Sequence, residues 1–70
     1  MQQNKNLTPH RRAVLSRLER LGRASRVAAI DGHPNNLPSL IRFGWARAIG
    51  EWPHIEFEIT DAGRDALAKN

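Results

Sequence analysis

Eight basic side chains, Lys5, Arg11, Arg12, Arg17, Arg20, Arg23, Arg26 and Arg42, stand in residues 1–42 against only Glu19 and Asp31, a balance of +6. Residues 43–70 hold three basic and five acidic side chains, a balance of −2. Nearly all the positive charge is arginine, whose planar fork matches phosphate oxygens better than a lysine point charge does. The basic half therefore points to a polyanion as a partner. Within it lie Asn35, Asn36, Ser39 and Arg42. Their amide, hydroxyl and guanidinium groups have the chemistry to read base edges: asparagine pairs bidentately with adenine, arginine with guanine, and serine with several partners.

Catalytic chemistry finds little support. His10, His33 and His54 are distributed so that no two have metal-ligand spacing on one element. There is no cysteine, which removes disulfides, thiolate zinc sites and cysteine nucleophiles together. No glycine-rich phosphate loop and no Ser/His/Asp order on a strained turn is visible. Glu56 and Glu58 alternate with apolar residues and read as the solvated side of a strand. The expectation is a protein that binds, with no enzymatic activity, no cofactor and no metal.

Seventy residues make one small domain, burying on folding only about 60% of the surface the unfolded chain exposes. A deep substrate-enclosing cleft is not expected at that size. The start, "MQQNKNLTPHRR", lacks the apolar run of a signal peptide, and no apolar segment approaches the roughly 18 residues that span a bilayer. A cytoplasmic location without membrane contact is the expectation.

The elements that must position these residues follow from periodicity and punctuation. Residues 1–6 are polar and read as a flexible N-terminal tail, with the domain occupying 7–70. Thr8 is placed to cap a first helix with Pro9 at its first position. Val14, Leu15, Leu18 and Leu21 share one face of it, Arg12, Ser16, Glu19 and Arg20 the other, and Gly22 stops it. Ser25 caps a short second helix to about Ile30, with Val27, Ala28 and Ile30 available to bury. "DGHP" breaks the chain, since glycine frees the backbone and the residue before proline avoids the helical region.

A third helix runs through 35–43. Asn35 or Asn36 caps it, Pro38 falls in its first turn, Leu37, Leu40 and Ile41 share a face, and Asn35, Pro38, Ser39 and Arg42 lie opposite. After Gly44 the period changes to two. "WARAI" and "IEFEIT" form a hairpin whose Ile55, Phe57 and Ile59 are buried, and "GEWPH" makes its turn. Thr60 or Asp61 caps a last short helix with Ala66 and Leu67 inward. Gly63 inside that helix costs roughly 1 kcal/mol relative to alanine, so close backbone approach is inferred there.

The resulting class is α+β, and the order of pieces resembles the winged helix-turn-helix family of DNA-binding domains, a three-helix core followed by a β-hairpin wing. "VLSRLERLGRAS", "SLIRFGWA" and "EITDAGRDAL" carry the resemblance, which covers about residues 7–69. The last string looks like the strand-to-helix junction of MarR-type and related bacterial and phage winged helices. The dimerisation helices that flank MarR-type cores have no counterpart in these residues, so a homodimer is left open.

The resemblance implies double-stranded DNA as partner and a role in transcription regulation. In helix-turn-helix motifs the second helix enters the major groove with its N-terminal part at the base edges. That assigns base contacts to Asn35, Asn36, Ser39 and Arg42. The plainer alternative leaves the asparagines as caps and Ser39 and Arg42 solvated. Arg23, Ser25 and Arg26 at the start of the second helix, with Arg11 and Arg12 at the start of the first, are the candidate phosphate contacts. Arg47 and Trp52 belong to the wing. Trp45 is expected to bury its ring at the hairpin base, and Trp52 to fold back over the core beside Pro53. An exposed Trp52 would instead favour a module that docks a protein through the hairpin, because exposed aromatic anchors are enriched at interfaces.

Overall fold

A computed structural model of the chain describes residues 7–69; the expected tail, residues 1–6, lies outside the described residues, as does Asn70. Thr8 starts α1, Pro9–Leu21, its hydroxyl accepting from the Arg11 N–H, and the Gly22 N–H closes the helix on the Leu18 carbonyl. Ser25 caps α2, Arg26–Ile30, by accepting from the Ala28 N–H. A turn through Asp31, which has left-handed φ, leads to α3, Leu37–Arg42. α3 ends at Arg42, one residue earlier than expected. Gly44, at φ 82°, then turns the chain into the hairpin of β1, Ala46–Ile49, and β2, Glu56–Ile59, and α4, Asp61–Lys69, closes the chain.

The hairpin is antiparallel, with Ala46 opposite Ile59, Arg47 opposite Glu58 and Ala48 opposite Phe57. β2 also pairs on its other side. Phe57 and Ala24 exchange both backbone hydrogen bonds, at 2.7 and 3.0 Å. This isolated bridge, unforeseen in the sequence, anchors the segment between α1 and α2 on the sheet.

Leu15, Leu18, Leu37, Leu40 and Val14 are fully buried, joined by Leu7, Ala24, Ala29, Ala46 and Ile59. Full burial of each large aliphatic contributes about 1.5–3 kcal/mol relative to exposure. α1 packs against α2, α4 and β2, while α3 packs on β1. Three expected core residues are exposed instead, and Ile55, Phe57 and Leu67, expected to be buried, are half-buried. Leu21 and Ile41 are exposed and Val27 is 70% exposed. α2 has only five residues, and the face it turns inward is occupied by Ala29, with Ala28 and Ile30 half-buried.

Thr60 joins the hairpin base to α4. Its hydroxyl donates to the Gly44 carbonyl at 2.6 Å and accepts from the Gly63 N–H at 3.1 Å, and its N–H donates to the Trp45 carbonyl. The close approach inferred for Gly63 is present: a Cβ there would lie 2.2 Å from the Trp45 carbonyl oxygen. Among the described residues no helix is long and apolar enough to cross a membrane.

Candidate functional site

α3 is held from both ends. Leu37 and Leu40 bury one side of it, and at 100° per residue Pro38 and Arg42 fall on the other, where both are exposed. The backbone of Asn36 serves as N-cap but its side chain makes no capping bond. Asn35 does that work, its Oδ1 accepting from the Leu37 N–H at 3.2 Å. Of the two asparagines offered by the sequence, the first is therefore partly engaged. Asn36 and Ser39 are half-buried, and Asn35 and Arg42 are exposed.

Contacts from α1 reach the end of α2 and the segments on either side of α3. Arg17 donates from Nε to the Ala28 carbonyl at 2.6 Å, and its Nη1 lies 3.3 Å from Asp31 Oδ2. A cation thereby satisfies the carboxyl end of α2, where unpaired carbonyls favour positive charge. His10 and His33 meet with their Nδ1 atoms 3.0 Å apart, one ring donating and the other accepting, which ties the start of α1 to the turn before α3. The Arg11 guanidinium lies 5.2 Å from the Phe43 ring centroid, within cation–π range. Phe43 in turn packs at 5.0 Å on the half-buried Trp45 ring, at the hairpin base as expected.

Sequence reading missed Arg17 as a structural group. The available signal was its place on the border between the apolar stripe and the outer face of α1. The His10–His33 meeting had no such signal, because the two lie 23 residues apart.

The arginines divide by partner. Arg23 Nη2 is 3.7 Å from Glu58 Oε1, and Arg47, directly across the hairpin, grips the other oxygen of the same carboxylate. Glu58, read from the sequence as solvated, is thus the shared counter-ion of two candidate contacts, its side chain 20% exposed. Arg64 is divided between Asp61 and Glu19. The polar cleft of about 350 Å³ beside α4 is lined by these same paired groups, Arg47, Glu58, Asp61 and Arg64. By contrast, Arg26 and Arg42 are exposed and make no ion pair among the described residues. Arg12 is half-buried on the first turns of α1. Ser25 spends its hydroxyl on the Ala28 N–H at 3.4 Å.

Trp52 does not fold back over the core. It is 83% exposed. Together with Pro53, Ile55 and Phe57 it forms one wall of an open groove of about 270 Å³, whose other wall is Ser25, Arg26 and Val27. The exposed Val27 faces this groove.

No group of three or more His, Asp or Glu side chains that could hold a metal ion occurs among the described residues. No protein-family model, no curated protein and no solved structure matches the chain.

Proposed function

We propose that this chain is a small winged helix-turn-helix protein that binds double-stranded DNA, with α3 entering the major groove and the hairpin serving as the wing. The observation that carries the reading is the contrast among its arginines. Among the described residues Arg42 on the outward side of α3 and Arg26 at the start of α2 make no ion pair, nor does Arg20 on the outer face of α1, while Arg17, Arg23, Arg47 and Arg64 are matched to carboxylates. Unmatched guanidinium groups beside a helix of groove-filling size suit phosphate and base-edge contacts.

In this reading Asn35, Asn36, Ser39 and Arg42 contact bases, whereas Arg26, Ser25, Arg11, Arg12 and Arg23 hold phosphates. Arg23 must compete with Glu58 for that role. The biological setting that fits is the cytoplasm, with the chain acting as a transcriptional or phage-type regulator. The test is duplex binding as a function of salt. Neutralising about four phosphates gives a slope of about −3.6 in log K against log salt. Binding that is absent at low salt defeats the reading.

A second reading is favoured by one observation, the exposure of Trp52 and Val27 on facing walls of the same groove. There the fold would act as a module docking another protein, since sites and not folds carry function. Loss of partner capture on Trp52→Ala, with DNA binding absent throughout, distinguishes the two.

A further inference from the structure

We propose that the outward ridge of α3 reads keto bases, guanine and thymine on one strand, and that Asn35, Pro38 and Arg42 set this preference; the proposal rests on the DNA-binding reading above. It follows from an inventory of what each exposed group offers. Arg42 has five N–H donors and no acceptor, and no ion-pair partner among the described residues draws them away. The Asn35 carbonyl oxygen is taken by the Leu37 N–H. A backbone donor can bond only to the oxygen of the amide, so the orientation is fixed and the NH₂ group is the part offered outward. Pro38, exposed between them, has neither a side-chain donor nor an acceptor, only an apolar ring.

The ridge thus presents donors, an apolar patch and donors. In the major groove guanine offers two acceptors, N7 and O6, and thymine offers the O4 acceptor with a methyl group beside it. Adenine N6 and cytosine N4 present donors, which need an acceptor on the protein. Neither α3 nor its leading turn supplies an outward carboxylate. Asp31, the one acid nearby in sequence, is paired with Arg17. The side chains here that can accept, Asn36 and Ser39, are both half-buried, whereas Asn35, Pro38 and Arg42 are exposed. This replaces the bidentate asparagine–adenine pair expected from residue type, because the capping bond holds the Asn35 oxygen toward the Leu37 N–H and leaves the NH₂ group as the unengaged half of the amide.

Spacing limits the length of the preferred site. At 1.5 Å rise per residue, Pro38 and Arg42 are about 6 Å apart along the helix, close to two base steps of about 3.4 Å on one strand. Asn35 adds about one more step. The preferred element is therefore a run of G and T within about four base pairs.

The experiment is selection of the full chain from a pool of random-sequence duplexes, followed by base-analogue substitution in the selected sites. The expected result is enrichment of adjacent G and T on one strand. Replacing each selected thymine by deoxyuridine, which removes only the methyl group, should weaken wild type severalfold and leave Pro38→Ala indifferent. Arg42→Ala should lose about 5- to 150-fold of its preference for the guanine-containing site while retaining salt-dependent binding. Enrichment of A or C at these positions, or insensitivity of the wild type to deoxyuridine, overturns the proposal. Salt-dependent binding with no sequence preference also overturns it but spares the DNA-binding reading, whereas no duplex binding at all overturns both.

Discussion

The Glu58 carboxylate lies between two arginines, with Oε1 3.7 Å from Arg23 Nη2 and its second oxygen held by Arg47. The arrangement joins the segment before α2 to the outer face of the hairpin and engages two of the cations that DNA would otherwise recruit, offsetting one of their two charges. Glu58→Gln keeps the shape and removes the charge. Duplex affinity should rise, and the salt slope should steepen by about 1 to 2 as one or both arginines become available to phosphates, at about 0.9 per contact. Fluorescence titration at several salt concentrations measures both. The cost in stability should be about 1 kcal/mol or less, since the pairs are largely exposed on the arginine side.

Gly63 is the position least tolerant of a methyl group. An added Cβ would meet the Trp45 carbonyl oxygen at 2.2 Å and Ile59 Cγ1 at 2.7 Å, and the first of these is backbone that cannot swing aside. Gly63→Ala, which would stabilise an exposed helix by roughly 1 kcal/mol, should destabilise this one by about 3 kcal/mol. Urea denaturation followed by circular dichroism gives the sign directly.

Arg17 closes the end of α2 on both the Ala28 carbonyl and Asp31. Arg17→Ala should cost about 1.5–3 kcal/mol, the usual range for a hydrogen bond to a charged group. Amide exchange should accelerate in α2 and in the turn leading to α3 more than in α4. A uniform increase across the chain would mean that Arg17 acts only on global stability.

Trp52→Ala should leave stability within about 0.5 kcal/mol of wild type, as expected for a surface position outside the core. Duplex affinity that is likewise unchanged separates the groove from the DNA contacts. A large loss of duplex affinity would place Trp52 at the DNA surface instead.

Local signals in the chain carried far when they were periodic or punctuated. Thr8, Pro9 and Gly22 bracket α1, the alternation around Phe57 marks β2, and a costly glycine in α4 announces its contact with Trp45. Pairings between distant single residues left no such trace. The Ala24–Phe57 bridge involves one residue on one side, too short to show a period of two. His10 with His33, and Arg23 with Glu58, depend on how helices and hairpin are packed. Short elements also misled: Val27 has the residue type of a core position, yet a five-residue helix turns only Ala29 fully inward. At the candidate site, residue types marked Asn35 and Arg42 together. Only the capping bond to Leu37 separates the roles they can play.

The most direct test of DNA recognition through α3 is a backbone amide NMR titration of the isotope-labelled chain with a short random-sequence duplex at low salt. The account predicts the largest shift changes among the amides of residues 35–42, reversed by raising the salt concentration. Changes confined to Trp52, Val27 and the groove between them, or no changes at all, would contradict it.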